Sequence, residues 1–128
     1  MRNEKGYILL TTIIMTMFTL FIAAHLATVL VSERSFLENT KHLYIIENLR
    51  ILAVDSALKN IKAGITEQTK TFYTDNGIFE YTIESSLDEN NELVNSTAHI
   101  SCETNEKIRK TFSFRYSHIE KRIVDWLE

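Results

Sequence analysis

The sequence contains no proline, only three glycines and a single cysteine, and each of these scarcities limits the structures that the chain can form. Without proline, the residue that most strongly breaks helices and central strands is missing from the whole chain. The single cysteine, Cys102, excludes an intrachain disulfide. The glycines Gly6, Gly64 and Gly77 fall at the three transitions predicted below: leader to membrane span, helix to loop, and strand to strand.

Charged side chains are absent between Tyr7 and Val31. At about 1.5 Å per residue, a helix of this length extends roughly 37 Å, which is enough to cross a hydrocarbon core of about 30 Å. A secretory signal peptide has a shorter apolar core and small residues in A-x-A register, which Ala23, Ala24 and Ala27 do not form. We therefore expect residues 7–31 to form a membrane span.

A short polar segment, Met1 to Gly6, precedes this span. It carries Arg2 and Lys5 and ends in glycine at the boundary between polar and apolar residues, as a type IV prepilin leader does when it is cleaved after the glycine. An uncleaved single-pass anchor fits the same residues, and this alternative stays open. Positive charges on the two flanks hardly favour either orientation, but the short amino-terminal flank favours a cell-membrane protein with its C-terminal domain outside.

The composition also limits the possible activities and partners. Charged residues make up 24% of the chain and the formal net charge is −3, so bulk charge does not make it a general nucleic-acid binder. The four histidines are scattered, with no cysteine or carboxylate at metal-ligand spacing, and no nucleophile motif or phosphate loop is present. We expect neither enzyme activity, nor a cofactor, nor a metal site.

Beyond the span, apolar residues recur at 3.6-residue spacing, with no glycine before Gly64. This pattern predicts an amphipathic helix over residues 32–63 that continues the span and stops near Gly64. A second apolar flank of the helix comprises Ile45, Leu49 and Leu52. One flank would pack against the chain's own β domain, and the other would contact neighbouring subunits. The main stripe comprises Phe36, Leu43, Ile46, Val54, Ala57 and Ile61, and Arg50 falls inside it.

Residues 64–128 are predicted to form an antiparallel β domain. Asn76-Gly77 is the strongest hairpin signal, and it would join strands at Lys70–Thr74 and Ile78–Glu84. After a polar loop at Ser85–Glu92, alternation of apolar and polar residues predicts the strands Val94–Cys102, Ile108–Tyr116 and Arg122–Leu127. The predicted fold is therefore α+β, with one long amino-terminal helix packed on an antiparallel sheet of four to five strands.

Two motifs connect this architecture to a known family. Residues 40–49 read TKHLYIIENL, and residues 121–128 read KRIVDWLE. The first is similar to a T-K-x-L-Y-x-x-E-N-L run, and the second to a closing K-x-x-x-x-W-x-E. Together with the leader, they resemble the ComGG-like minor pseudopilins, which are type IV pilin-like proteins of the competence apparatus of Gram-positive bacteria.

The resemblance implies a role in a filament for uptake of transforming DNA. A prepilin peptidase would cleave after Gly6 and methylate the new amino terminus of Tyr7. Most pilins carry glutamate at the fifth position after the cleavage site, but here that position is Thr11. This departure suggests a tip or initiating subunit. Residues expected to contact major or minor pseudopilins during assembly are Thr11, Tyr44, Glu47, Asn48 and Arg50.

Several alternatives remain open at the level of sequence. Lys107, Arg109 and Arg115 form a predicted basic row that would contact DNA, or would instead pair with acids such as Glu80 and Glu84. His25 in the span would respond to protons or bind a partner, or would be a neutral, hydrogen-bonded histidine. Glu47 and Arg50, three residues apart on the helix, would form an exposed ion pair or would contact another pseudopilin. Outside the filament hypothesis, the chain would be an uncleaved single-pass membrane protein with a small extracellular β-rich binding domain.

Overall fold

A computed structural model describes residues 4–127, with side chains from Gly6 onward; the first three residues of the predicted leader and Glu128 lie outside the described residues. The chain divides into two compact units, the first ending at Thr40 and the second running Lys41–Glu128. The elements are α1 (Glu4–Lys62), β1 (Glu67–Thr74), β2 (Gly77–Leu87), β3 (Leu93–Thr104), β4 (Arg109–Ser117) and β5 (Arg122–Leu127).

The first unit consists of the amino-terminal part of α1, where all side chains from residue 6 to residue 39 are exposed. Within the described residues, α1 is the one helix long and apolar enough to be a candidate membrane span. Threonine hydroxyls in this segment donate to backbone carbonyls three or four residues earlier, as Thr12 does to Ile8 at 2.8 Å and Thr16 to Thr12 at 2.7 Å. Such bonds satisfy hydroxyl groups where no water is available.

The second unit is a five-stranded antiparallel sheet in the order β1-β2-β3-β4-β5, covered by the carboxyl-terminal part of α1. Every pair of sequential strands is adjacent, so short turns connect the whole sheet. The predicted α+β architecture, with a long helix packed on an antiparallel sheet, is confirmed.

The core lies between α1 and the middle strands. Leu49, Ala53, Ala57 and Ile61 on the helix are at most 2% exposed. They pack against Tyr81, Ile83, Ala98, Ile100 and Phe114 from the sheet. Two alanines in the centre of this seam let the helix backbone approach the sheet closely, and the large sheet side chains fill the space beside them.

The predicted helix stripe was wrong in part. Ile46, Ala57 and Ile61 are buried as expected, but Leu43 is 52% exposed, whereas Leu49, assigned to the second flank, is 2% exposed. The prediction was based mainly on the larger apolar side chains. The face of the helix that contacts the sheet is instead centred near Ala53, so it is rotated about the helix axis relative to the predicted stripe.

Helix α1 ends as the sequence predicted. Gly64 has φ +83°, the left-handed conformation that closes many helices. The Gly64 N–H donates to the Ile61 carbonyl at 3.0 Å, and the Ile65 N–H donates to the Asn60 carbonyl at 3.1 Å. This pair of bonds forms a Schellman motif, which satisfies carbonyls left unpaired at the helix end.

The first hairpin forms where expected, but its loop is two residues long instead of the three, Asp75 to Gly77, that the predicted strands leave between them. Thr74 pairs with Gly77, so Asp75 and Asn76 are the two loop residues and Gly77 already belongs to β2. A side chain on Gly77 would place its Cβ 2.3 Å from the Glu103 carbonyl oxygen. Gly77 is therefore required by close approach of the neighbouring strand.

The remaining strand boundaries differ slightly from the prediction. Ser85, Ser86 and Leu87 continue β2, so the loop after this strand is shorter than expected. Ile108 precedes β4 and is 38% exposed instead of pointing into the core. The inward alternation of β3, with buried Ala98 and Cys102, is confirmed.

The edge strand β5 contains an irregularity. Arg115 pairs with Asp125 and Tyr116 pairs with Ile123, so Val124 has no partner on β4. This is a β-bulge, which bends an edge strand and increases its local twist.

Candidate functional site

Four of the five residues expected to contact other subunits, Tyr44, Glu47, Asn48 and Arg50, lie together on α1 in the second unit, whereas Thr11 lies in the first unit. Tyr44 is 68% exposed, and Asn48 is exposed one turn further on. The predicted ion pair between Glu47 and Arg50 is present, with Arg50 Nη1 3.4 Å from Glu47 Oε1. An exposed pair of this kind contributes little to stability by itself.

Arg50 also joins the helix to the carboxyl-terminal strands. Its guanidinium carbon lies 5.1 Å from the ring centroid of Phe112 and 5.2 Å from that of Trp126. These are distances at which a cation is attracted to an aromatic face. The Trp126 ring in turn packs against Phe114 at a centroid distance of 5.5 Å. Sequence reasoning missed this arrangement, although an arginine within an apolar stripe was the available signal.

A groove opens beside this contact, between α1 and β5. It has a volume of about 410 Å³ and is lined by Glu47, Arg50, Ile51, Val54, Asp55, Leu58 and Trp126. Ile51 is 64% exposed and Trp126 is 45% exposed. Apolar side chains flanked by charges are typical of a surface that binds another protein. We define this surface as the α1–β5 groove.

Cys102 lies in the core beneath the groove's arginine. Burial raises the pKa of its thiol to about 11, while the charge of Arg50 acts to lower the pKa and that of Glu47 acts to raise it. The side chain is 0% exposed. Cys102 therefore acts as a small buried apolar side chain, and an intermolecular disulfide would require the core to open.

The predicted processing residues lie in the first unit. Gly6 is helical and has open space around it, and Tyr7 is 73% exposed. The Thr11 hydroxyl donates to the Tyr7 carbonyl at 2.7 Å, so the polar group of Thr11 is satisfied within the helix.

The three predicted DNA contacts do not share one strand face. Lys107 lies in the turn before β4, with φ +64°. Arg109 is held by Glu103 at 3.0 Å instead of by Glu80 or Glu84. Arg115 is exposed on β4 opposite Asp125, six residues from Arg109 and hence about 20 Å away along the strand.

Two polar contacts were not anticipated from the sequence. His42 Nε2 lies 2.9 Å from Glu106 Oε2, which connects α1 to the turn between β3 and β4. At the opposite end of the sheet, His118 Nε2 lies 2.8 Å from Ser96 Oγ. A serine beside a histidine suggests a nucleophile and its base, but the Ser96 side chain is only 1% exposed and cannot reach a substrate.

Comparison of the chain with protein-family models, with curated proteins and with solved structures finds no match in any of the three. Three features of the chain bear on its function: the exposed apolar segment of α1 with its amino-terminal glycine boundary, the α1–β5 groove, and the two sequence motifs, which contribute Glu47 and Trp126 to that groove.

Proposed function

We propose that this protein is a minor pseudopilin of a competence filament that takes up transforming DNA. A prepilin peptidase cleaves the precursor after Gly6 and methylates Tyr7. The subunit waits in the membrane with its β domain outside, and the pilus assembly machinery then draws it into a filament with other pseudopilins. The observation that carries the proposal is the Gly6–Tyr7 boundary, at which the uncharged and exposed segment of α1, residues 7–31, begins.

The exposed helix supports the proposal because an apolar surface of this length cannot remain in water. Within the first unit, Leu9, Phe18 and Phe21 are 64%, 60% and 75% exposed. Lipid or a bundle of similar helices would cover such side chains equally well, so transfer from a membrane to a filament core replaces one apolar environment with another.

Thr11 supports a position at the tip or at initiation. A glutamate five residues after the cleavage site would neutralise the free amine of a neighbouring subunit, and both charges would be costly if left unpaired in lipid. Thr11 carries no charge, and its hydroxyl is bonded to the Tyr7 carbonyl at 2.7 Å. The subunit therefore offers no acid to a neighbour, although its own amine can receive one.

The α1–β5 groove supports contact with other pseudopilins. Two residues of the 40–49 motif and its neighbourhood, Glu47 and Arg50, line this groove together with Trp126 of the closing motif. The two segments that carry the family resemblance are thus joined in one exposed surface. Such a surface would hold the β domain of an adjacent subunit after the helices have packed.

The proposal is tested by intact-mass measurement of the protein from cells that contain or lack a prepilin peptidase. We expect the mass to fall by that of residues Met1–Gly6, with addition of one methyl group, only where the peptidase is present. Gly6→Val should leave the full precursor in both strains, because a branched side chain would replace the glycine before the scissile bond.

Ala24→Val is the control, since it introduces the same branched side chain at an exposed helical position outside the leader and should leave processing intact. If the wild-type protein keeps its original methionine in cells with an active peptidase, the proposal is wrong. The chain would then be the uncleaved single-pass membrane protein with a small extracellular β-rich binding domain.

A further inference from the structure

A basic cavity lies at the end of the sheet where α1 terminates. It has a volume of about 380 Å³ and is lined by Lys62, Tyr116, His118 and Lys121. Lys62 comes from the last turn of α1, and Lys121 comes from the turn between β4 and β5. Three separate elements therefore bring two ammonium groups, an imidazole and a phenol to one concave surface.

The two lysines carry charge that the surrounding residues leave uncompensated. Nearby cations are neutralised, since Lys59 pairs with Asp55 at 2.7 Å and Arg122 pairs with Glu120 at 2.6 Å. Within residues 6–127, neither Lys62 nor Lys121 has a carboxylate at ion-pair distance. The carboxylates at this end of the sheet are Glu120, which pairs with Arg122, Glu67 and Glu84 on β1 and β2, and the loop acids Asp88, Glu89 and Glu92; the carboxyl end of α1 is also negative.

The wall of the cavity is held in place by hydrogen bonds and packing. His118 Nε2 is 2.8 Å from Ser96 Oγ, which is itself 2.8 Å from Ser85 Oγ. The His118 ring also packs edge-on against Tyr116, with centroids 5.3 Å apart. Lys121 has φ +54°, so the turn that carries it adopts a left-handed conformation. The imidazole is therefore oriented before any ligand binds.

We propose that this cavity binds two phosphate groups of a single-stranded nucleic acid, one at each lysine. Two uncompensated ammonium groups beside a hydrogen-bonding imidazole match the charge and donor requirements of phosphodiester groups. The cavity lies at the opposite end of the sheet from Lys107 and Arg109. The inference rests on the proposed role in DNA uptake for the source of its ligand, and it locates the phosphate contacts that this role requires.

The experiment measures binding of a short single-stranded oligonucleotide to the full chain in neutral detergent, over a series of salt concentrations. Two phosphate contacts give a slope of log affinity against log salt of about −1.4, so that an approximately fourfold rise in salt weakens binding about sevenfold. Lys62→Gln and Lys121→Asn should each remove about 0.7 from the slope, and the double variant should remove both contributions. Asparagine is chosen at Lys121 because it tolerates the left-handed backbone.

Lys107→Asn is the matched control, because Lys107 also has a left-handed backbone, with φ +64°, and loses the same charge at the other end of the sheet. We expect it to bind like the wild type. Equal weakening by Lys107→Asn, or unchanged binding in the double variant, would overturn the inference.

Inorganic phosphate provides the second arm of the experiment. It should displace the oligonucleotide and perturb the NMR signals of His118. If phosphate perturbs His118 but the oligonucleotide does not bind, the cavity takes free phosphate and the nucleic-acid inference is wrong.

Because cleavage after Gly6 is measured separately, a processed protein that binds no oligonucleotide would refute this inference alone. An unprocessed protein that binds it would refute only the proposed function.

Discussion

At the scale of single residues, Gly77 is a position where even a methyl group would overlap neighbouring atoms. A Cβ added there would lie 2.3 Å from the Glu103 carbonyl oxygen, 3.0 Å from the Thr104 Cα and 3.1 Å from Leu49 Cδ1. The first two are backbone atoms and cannot rotate away. The glycine thus lets β2, β3 and the helix approach one another at the start of the sheet.

Gly77→Ala should therefore lower the free energy of unfolding by about 3 kcal/mol, through steric overlap and backbone strain. Chemical denaturation followed by the fluorescence of Trp126, the only tryptophan, would measure the change. Gly64→Ala is the control, because Gly64 has φ +83° but open space around it, so only conformational strain of about 1 kcal/mol is expected. Equal losses in the two variants would contradict the steric explanation.

At the scale of secondary-structure elements, β5 depends on a few side chains for its position. It pairs with β4 alone, and its exposed edge carries no further strand among the described residues. Trp126 contacts both Phe114 and Arg50, so one side chain connects β5 to the sheet and to the helix. The edge strand and the α1–β5 groove are consequently coupled.

Trp126→Ala should weaken β5 more than the rest of the sheet. Because Trp126 is 45% exposed, we expect a loss of about 2 kcal/mol instead of the larger loss typical of a fully buried tryptophan. Hydrogen exchange would check this, with faster exchange expected for amides of β5 than for those of β2 and β3. Val124→Ala, at the unpaired bulge, should leave exchange nearly unchanged. Uniform acceleration across all strands would contradict a local role.

Elements of this chain were more predictable than the contacts between them. The long helix, its stop at Gly64 and the strand Arg122–Leu127 follow from periodicity and turn residues, which are local properties. The seam through Ala53 and the contact of Arg50 with Trp126 depend on how distant segments pack, and no local pattern encodes that rotation. The basic cavity was missed for the same reason, since its two lysines lie 59 positions apart in sequence.

At the scale of the whole molecule, the second unit contains all the parts of a folded domain. Its core joins Leu49 and Ile61 of the helix to the strands of the sheet, and the five strands pair only with one another. The side chains of residues 6–39 are exposed and contribute nothing to this core. The two units therefore have different requirements, one for an apolar environment and one for water.

A fragment comprising residues 41–128 should accordingly be soluble without detergent and unfold in one cooperative transition. Circular dichroism and the dispersion of amide NMR signals would check this expectation. Leu49→Ala in the same fragment is a suitable comparison, because loss of a buried leucine should lower stability by about 3 kcal/mol. A fragment that aggregates or lacks dispersed signals would show that the domain needs residues before Lys41.

The bulge at Val124 has a consequence for how copies of this protein can join. A regular edge strand offers its free amides and carbonyls in a repeating row, onto which the backbone of another molecule can add. Val124 interrupts that row in the middle of a six-residue strand. Addition of another strand to the β5 edge is thereby disfavoured, so contacts between copies of this chain along β5 would have to be made by side chains.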